Sequence, residues 1–193
     1  LTEKLFVAAM NYKKNKTKFL VLRYGNVLGS RGSVVPKFVD QIKNKNKITI
    51  TDPQMTRYSL TVDEALNFIL DSTSIAKGSE VFVPRLKAYS ILDLKQALVE
   101  LLEDTDVEIT SIRPGEKLHE ALISKDEMRY TWKFKGKYII FNSLRSENEI
   151  KSLYPGIIKL DQVEYSSEMA EKISIEELKK ILSCSVLPRV KEQ

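Results

Sequence analysis

Apolar positions along the chain follow two spacings, one that repeats about every 3.6 residues and one typical of buried strands. The helical spacing predicts helices over residues 1–15, 34–44, 61–74, 90–104, 116–124 and 174–184. Short apolar runs and alternation predict strands over residues 17–25, 47–51, 79–84, 107–110 and 136–143. The polar residues 52–59 are predicted to form a loop. Because strands and helices alternate, we predict an α/β fold, and the first apolar run favours a parallel strand.

Residues with capping side chains precede three of the predicted helices. Ser33 is a candidate N-cap, and Pro36 falls in the first turn, where its missing N–H does no harm. Thr61 and Glu64 have the spacing of a capping box, and Ser90 is the candidate cap of the helix that follows. The apolar face of the helix after Thr61 consists of Val62, Ala65, Leu66, Ile69 and Leu70.

Composition and charge narrow the function classes. The 193 residues carry 31 basic and 26 acidic side chains, which gives a net charge of +5. Because the charges are mixed and the lysines scattered, we expect no nucleic-acid partner, which would need a one-signed stripe with interleaved aromatics. No apolar run approaches the ~18 residues of a membrane span, so we expect no membrane segment in this part of the sequence. The length suffices for a sizeable core.

Cysteine and histidine each occur once, as Cys184 and His119. A single cysteine excludes an intramolecular disulfide and fits a reducing cytoplasm, which is the location we expect. These two residues do not make up a zinc ligand set, so we assign no metal ligands. The first residues have helical spacing without an initiator Met or a preceding cap, so we expect the chain to begin inside a helix, as a fragment would.

A cluster of glycine, serine and charged residues, RYGNVLGSRGSVVPKF at residues 23–38, lies between the first predicted strand and the next helix. Glycines allow backbone N–H groups to approach a ligand, and a helix N-terminus carries about half a positive charge, so this corner can bind an anion. Arg31 and Lys37 flank it and can add charge-assisted hydrogen bonds. The spacing is not that of a P-loop, and a tight loop without a ligand is the alternative interpretation.

Arg57 and Arg113 each lie at a turn after a strand, where binding residues concentrate in α/β proteins. Two arginines from separate loops can hold a diphosphate, although each, taken singly, also fits a solvated or ion-paired surface residue. Glu116 either accepts hydrogen bonds from sugar hydroxyls or occupies the first turn of the predicted helix for its dipole. We expect His119 on that helix to be structural, and the sequence offers no catalytic triad, acid pair or activated cysteine.

Four segments in order carry a resemblance to a known family: LRYGNVLGSRGSVVPKF, ITITDPQMTRYSLTVDEA, SEVFVP and SIRPGEKLHEALIS. Together they resemble the C-terminal part of nucleotide-sugar 4,6-dehydratases. These are extended short-chain dehydrogenase/reductases, typified by the inverting UDP-N-acetylglucosamine 4,6-dehydratases of surface-glycan biosynthesis. The similarity runs from residue 1 to about residue 143 and weakly into residues 164–167. The combination of segments is specific, whereas each segment alone is not.

The resemblance implies an extended Rossmann-type dehydrogenase/reductase fold with a substrate-binding lobe. Residues 1–28 would be a remnant of the Rossmann domain. Residues 29–143 would be the substrate-binding lobe, with segments at about 58–84 returning to the Rossmann sheet, and residues 144–193 a C-terminal extension. In the family, NADP or NAD takes a hydride from C4 of a UDP-sugar, water is eliminated across C5–C6, and the hydride returns to C6. The catalytic Tyr-x-x-x-Lys and the dinucleotide-binding loop would precede residue 1, so we expect this chain alone to bind no cofactor and to be inactive.

The resemblance also implies roles for residues around the glycine corner. Tyr24 would approach the nicotinamide from the end of its strand. Asn26 would contact the diphosphate or the sugar of the substrate. Ser33 and Val34 would line the nucleotide pocket at the start of the next helix. The anion expected at this corner would therefore belong to a UDP-sugar.

The later motifs supply the remaining contacts that the resemblance implies. Ile50 and Thr51 would meet the uracil through their backbone. Arg57 and Arg113 would hold the diphosphate, and Glu116 would accept hydrogen bonds from the ribose hydroxyls. These are the same arginines and the same acid that the local patterns select as anion and polyol contacts.

Three interpretations of the function stay open. The first is the UDP-sugar-binding portion of a 4,6-dehydratase, inactive alone. The second is the corresponding lobe of a nucleotide-sugar epimerase, which eliminates no water. The third is a binding or oligomerising module without chemistry of its own. Because a partial α/β sheet leaves an edge and an apolar face uncovered, we expect a partner, either an N-terminal half chain or further copies in a homo-oligomer.

Overall fold

The computed structural model describes residues 2–9, 17–161 and 164–188, and it shows a mixed α/β protein, as predicted. The helices are α1 (Thr2–Ala9), α2 (Val34–Lys43), α3 (Val62–Ile75), α4 (Ile91–Leu101), α5 (Lys125–Met128), α6 (Glu147–Leu153) and α7 (Ile175–Ile181), followed by a π-helical turn (Leu182–Val186). The strands are β1 (Val21–Leu22), β2 (Ile48–Ile50), β3 (Thr56–Tyr58), β4 (Val81–Pro84), β5 (Ala88–Ser90), β6 (Val107–Ile109), β7 (Ala121–Ile123), β8 (Thr131–Phe134), β9 (Lys137–Ile140), β10 (Ile158–Lys159) and β11 (Tyr165–Ser166). The end of the first predicted helix, residues 10–15, lies outside the described residues. In the part of the chain that is described, no helix is long and apolar enough to cross a membrane.

The chain forms two compact units, and each is assembled from three separate segments. Unit 1 contains the described residues of Leu1–Tyr24, Ala65–Arg85 and Ala121–Tyr165. Unit 2 contains the described residues of Gly25–Glu64, Leu86–Glu120 and Ser166–Gln193. Each core is therefore made by segments that are far apart in the sequence. The sequence assigns residues 1–28 to a Rossmann remnant, residues 29–143 to a substrate-binding lobe and residues 144–193 to a C-terminal extension. This assignment stays a prediction.

Unit 1 is built on a five-stranded sheet with the order β1-β4-β9-β8-β10. β1 and β4 are parallel, and the other neighbours are antiparallel. A two-residue turn joins β8 to β9, and both of its residues, Lys135 and Gly136, have a positive φ (44° and 76°), as a type I′ hairpin turn requires. Phe68, Phe82 and Trp132 are among the buried side chains that fill the core of this unit.

Unit 2 combines α2, α4 and α7 with two small sheets, the parallel pair β2–β6 and the antiparallel pair β3–β5. The buried face of α2 consists of Val35, Phe38, Val39 and Ile42, which have the helical spacing predicted from the sequence. The C-terminal segment belongs to this core, because Leu178 of α7 is fully buried in it. Lys179 of α7 also forms a 2.7 Å ion pair with Glu100 of α4.

The predicted caps are confirmed in full at two helices and only by position at a third. The Ser90 hydroxyl accepts a 3.0 Å hydrogen bond from the Asp93 backbone N–H at the start of α4. Thr61 and Glu64 form the predicted capping box, with backbone-to-side-chain hydrogen bonds of 2.7 and 3.2 Å. Ser33 occupies the N-cap position of α2, but its side chain makes no capping hydrogen bond. The first turn of α2 therefore has no cap from this residue.

The helix predicted over residues 116–124 is wrong. Gly115 has a φ of 83° in a turn, and the chain after it is irregular, with a bend at residues 118 and 119, until it forms β7. The apolar spacing of this segment resembles that of a helix, but its backbone pairs with a distant segment, because the Leu118 carbonyl accepts the Thr56 N–H at 3.1 Å. Pairing with a segment about sixty residues away has overridden the local pattern.

The polar loop predicted over residues 52–59 contains a strand, β3. This strand pairs with β5, so that Thr56 lies opposite Ser90 and Arg57 opposite Tyr89. Because β3 consists of Thr-Arg-Tyr, it lacks the apolar alternation from which strands are predicted. A short polar strand of this kind is stabilised by its partner rather than by its own pattern.

Within unit 1, α3 buries a different set of residues from the apolar face predicted for it. Ala65, Phe68 and Ser72 are buried, whereas Leu66 and Leu70 are 53% and 66% exposed. Apolar residues lie on more than one side of this helix, so the sequence alone does not show which side packs inward. Exposed apolar side chains that lie close together are typical of a surface that another polypeptide covers.

Candidate functional site

Unit 2 contains a cavity of about 260 Å³ between the glycine corner, α2, β2, β3 and the turn before residue 116. All eight residues that the sequence assigns to substrate binding line it: Asn26, Ser33, Val34, Ile50, Thr51, Arg57, Arg113 and Glu116. They come from four stretches of sequence, so the fold has brought separate motifs to one place. What each residue binds stays a prediction, but all eight lie around one cavity and are in a position to contact one ligand.

The glycine corner forms two consecutive turns before α2. Gly29 and Gly32 have φ values of 77° and 75°, a conformation that costs glycine little and other residues more. The Ser33 N–H donates to the Ser30 carbonyl at 3.0 Å, which closes the second turn at the start of the helix. The Ser33 hydroxyl oxygen is buried and has no hydrogen-bond partner among the described residues, although Ser33 lines the cavity. The corner thus serves as a tight loop and also presents an unused polar atom and an uncapped helix start beside the cavity.

Arg57 is held in place by backbone carbonyls rather than exposed to solvent. Its guanidinium donates to the Thr56 carbonyl at 2.7 Å and to the Leu118 carbonyl at 3.1 Å. Glu120 lies 3.8 Å away as an ion-pair partner, and the Arg57 side chain is only 15% exposed. The alternative interpretation of Arg57 as a solvated or ion-paired surface residue is therefore correct about the ion pair and wrong about the exposure to solvent. A fixed, mostly buried guanidinium that lines a cavity can contact an anion with little loss of side-chain freedom.

Glu116 connects the turn that carries Arg113 with the end of β2. One carboxylate oxygen accepts a 3.1 Å hydrogen bond from the Thr51 hydroxyl, and the other accepts the Arg113 backbone N–H at 3.2 Å. No helix follows, so the alternative in which Glu116 serves a helix dipole is wrong. Arg113 itself is exposed and reaches the cavity from this turn. The carboxylate therefore lies where it stabilises the turn and faces the cavity at the same time.

Lys37 adds a further cation to the cavity wall; the sequence predicts it to flank the glycine corner, where it can add charge-assisted hydrogen bonds. Burial lowers its pKa below the usual value, as does the positive charge of Arg113, while Glu116 acts in the opposite direction. Lys37 lies four residues after Ser33, so both project from the same side of α2. Arg31, by contrast, is exposed and is not one of the residues that line the cavity.

Met55 and Tyr89 also line the cavity and were not predicted to do so. Both are buried, and Tyr89 lies directly opposite Arg57 in the β3–β5 pair. Burial raises the pKa of Tyr89, and the charge of Glu120 raises it further, so its phenol stays neutral. No local pattern marks these residues, because their place depends on strand pairing.

Tyr24, the predicted nicotinamide contact, belongs to unit 1 and is not among the residues that line the cavity. It follows β1 and is 37% exposed. Its ring packs edge-on against Phe68, with ring centres 6.1 Å apart and an interplanar angle of 85°. Its role toward a cofactor stays a prediction.

Comparison with known proteins identifies the family to which the chain belongs. The family described as "Polysaccharide biosynthesis protein" matches residues 1–142, and the chain belongs to this family. It is 43% identical over 146 residues to the UDP-N-acetylglucosamine 4,6-dehydratase (inverting) of Campylobacter jejuni subsp. jejuni serotype O:2, which covers 75% of this chain and 43% of that protein. It is 34% identical over 185 residues to the UDP-glucose 4-epimerase of Rickettsia akari, which covers 94% of this chain and 54% of that protein. The resemblance predicted from the sequence motifs is thereby confirmed.

A solved structure supports the same fold. Pen from Bacillus thuringiensis aligns with a TM-score of 0.80 and 33% identity, over 94% of this chain and 53% of that protein. The predicted Rossmann-type dehydrogenase/reductase fold class is confirmed by this likeness and by the parallel strand pairing. The chain spans about half the length of the relatives named here.

Proposed function

We propose that this chain is the UDP-sugar-binding portion of a nucleotide-sugar 4,6-dehydratase of surface-glycan biosynthesis. One observation carries the proposal: the residues assigned to diphosphate, ribose and base lie around a single cavity. Lys37, Arg57 and Arg113 bring three cations to it, against one carboxylate, so the cavity favours an anionic ligand.

Different residues of the cavity wall suit different parts of a UDP-sugar. A diphosphate needs cations and N–H donors, which Arg57, Arg113 and the start of α2 supply. A ribose needs an acceptor for its hydroxyls, and Glu116 offers carboxylate oxygens beside Thr51. The base would meet the backbone at Ile50 and Thr51, where β2 ends.

The complete enzyme would use NADP or NAD, and we propose that this chain alone binds neither. The nicotinamide supplies the hydride acceptor and donor in reactions of this class. Within this chain, the partly exposed ring of Tyr24 after a parallel strand fits a single contact with a planar ring. One such contact does not make a dinucleotide site, so this chain contributes to orientation rather than to cofactor affinity.

An epimerase portion is the second candidate function. It is favoured by the Rickettsia akari relative, whose match extends over 94% of this chain. Both candidates require a UDP-sugar in the same cavity, and they differ in whether water is eliminated. A binding module without chemistry stays the third interpretation, and a cytoplasmic location stays a prediction from the sequence.

We also propose that further polypeptide covers part of unit 1, as an N-terminal half chain or as another copy. Leu5 and Phe6 of α1 and Leu66 and Leu70 of α3 are exposed, and β1 has one neighbour in the sheet as described. Exposed apolar side chains and an open strand edge favour association. The relatives named above are about twice as long as the part this chain matches, which supports the first form of partner.

Two measurements on the purified chain test the proposed function. Calorimetric titration with UDP is expected to show weak binding, and uridine without phosphates is expected to bind less. Incubation with UDP-N-acetylglucosamine and NADP is expected to give no 4-keto product. Equal affinity for UDP and uridine would contradict an anion site, and a 4-keto product would contradict the inactivity of the chain alone.

A further inference from the structure

Three segments of unit 2 meet at the side chain of Ser167, which is fully buried. Its N–H donates to the Glu120 carbonyl at 2.7 Å, and its hydroxyl oxygen accepts the Glu120 N–H at 2.9 Å. The same hydroxyl donates to the Thr56 carbonyl at 3.1 Å and lies 2.7 Å from the Thr56 hydroxyl. One serine therefore bonds to two segments that precede it by 111 and 47 residues.

These two segments are the ones that carry the arginines of the cavity. Thr56 precedes Arg57 in β3, and the Leu118 carbonyl accepts both the Thr56 N–H and the Arg57 guanidinium. Leu118 lies two residues after Glu116, which holds the turn of Arg113. The separation between the two arginines therefore depends on how β3 is held against residues 118–120.

We infer that Ser167 is a positioning residue for the candidate site, which holds β3 and residues 118–120 in register so that both arginines face one anion. The anchor involves a C-terminal segment, none of whose described residues, 164–188, lines the cavity. The hydroxyl is buried, and two of its three contacts are to backbone groups, so its removal is expected to loosen both segments. The inference rests on the proposed function only for the identity of the ligand.

The chain supplies a matched control in the adjacent residue. Ser166 is also buried, but its hydroxyl has no hydrogen-bond partner among the described residues. Ser166→Ala and Ser167→Ala remove the same atom from neighbouring buried positions. Only the second change breaks contacts with β3 and with residues 118–120.

The first test needs no ligand. Amide hydrogen exchange is measured on the full chain, with residues 56 and 118–120 compared among the wild type, Ser167→Ala and Ser166→Ala. Ser167→Ala is expected to speed exchange of the Thr56 and Glu120 amides by on the order of tenfold, as expected for a lost buried hydrogen bond. Ser166→Ala is expected to leave them unchanged. Equal exchange in both variants would overturn the inference.

The second test measures UDP affinity by calorimetry. Ser167→Ala is expected to raise the Kd by about fivefold to tenfold and Ser166→Ala by less than twofold. In the Arg57→Ala background, Ser167→Ala is expected to raise the Kd by less than it does in the wild type, because part of its effect acts through Arg57. A loss of affinity that is the same in both backgrounds would show that Ser167 does not act through Arg57 and would overturn the inference.

Thr56 provides variants that keep the shape of the junction if Ser167→Ala folds poorly. Thr56→Val removes the hydroxyl next to Ser167 and His119 with little change of volume, and Thr56→Ser keeps it. Thr56→Val is expected to weaken UDP binding, and Thr56→Ser is expected to restore it; equal binding by both would contradict the role of the junction. A wild-type chain that binds no UDP would refute the proposed function, while the exchange experiment would still decide the role of Ser167.

Discussion

The Thr51 hydroxyl donates a 3.1 Å hydrogen bond to the Glu116 carboxylate, although the two residues are 65 positions apart in the sequence. This bond joins the end of β2 to the turn that carries Arg113. The predicted base contact and the predicted ribose contact are therefore adjacent, as the uracil and the ribose of one nucleotide are. The remaining lone pairs of the carboxylate are available to a ligand.

Glu116 gives the first prediction. If its carboxylate accepts hydrogen bonds from ribose hydroxyls, wild-type chain should bind 2′-deoxy-UDP more weakly than UDP by about tenfold or more, the loss expected for a hydrogen bond to a charged group. In Glu116→Ala this preference should disappear, and both ligands should bind weakly. Calorimetry with the two nucleotides checks this. A preference for UDP that persists in Glu116→Ala would place the ribose elsewhere.

Arg113 and Arg31 form a matched pair for the second prediction. Both are exposed arginines of unit 2, but only Arg113 lines the cavity. Arg113→Ala should weaken UDP binding by about tenfold or more, because a charge-assisted contact to the diphosphate is lost. Arg31→Ala should change it by less than twofold, and the effect of Arg113→Ala should shrink at high salt. Equal losses in the two variants would indicate a general charge effect rather than a defined pocket.

Local patterns select the glycine corner, Arg57, Arg113 and Glu116, and the structure places all of them around the cavity. The resemblance alone selected the other predicted residues, Asn26, Ser33, Val34, Ile50 and Thr51, and neither route selected Met55 and Tyr89. Glycines at turns, a proline in the first turn of α2 and arginines after strands each have a local physical reason. Of the two cations predicted to flank the corner, Arg31 and Lys37, only Lys37 lines the cavity. What the local patterns do not contain is the ligand, which came from the resemblance of several motifs in order.

The errors all concern contacts between distant segments. Residues 116–124 have helical spacing, but their backbone pairs with β3 and with Ser167. β3 itself has no apolar alternation and exists because β5 lies beside it. The inward side of α3 likewise depends on the packing around Ala65 and Phe68. Local spacing predicts that an element is amphipathic, whereas its partners decide its type and its orientation.

The exposed leucines of α3 give the third prediction. Leu66 and Leu70 are one helical turn apart and largely exposed, so the purified chain should associate as its concentration rises. Replacing both by lysine should reduce this association, measured by sedimentation velocity. The control is Leu144→Lys, because Leu144 is also exposed in unit 1 but lies outside α1 and α3. A wild-type chain that stays monomeric at all concentrations would contradict the proposed partner surface.

The fourth prediction concerns stability in acid and rests on Glu127. Burial alone would raise the pKa of Glu127, but hydrogen bonds from Arg23 and Ser124 outweigh it and lower the pKa from 4.5 to about 2. Because the folded pKa is the lower one, this carboxylate stabilises the fold above pH 4.5, and the contribution is lost as the pH falls towards 2. Such a shift is worth about 3 kcal/mol for a fully buried group, and the partial exposure of Glu127 reduces it to about 1–2 kcal/mol.

Glu127→Gln should therefore lower the free energy of unfolding by about 1–2 kcal/mol near neutral pH, with a difference from wild type that shrinks as the pH falls from 4.5 towards 2. Urea unfolding at a series of pH values measures this difference. Asp126→Asn is the matched control, because Asp126 lies on the same short helix and pairs with Arg129 on the surface instead of with Arg23. If Asp126→Asn reproduced the pH dependence of Glu127→Gln, the acid sensitivity would come from net charge rather than from the ion pair with Arg23, since only the latter is specific to Glu127.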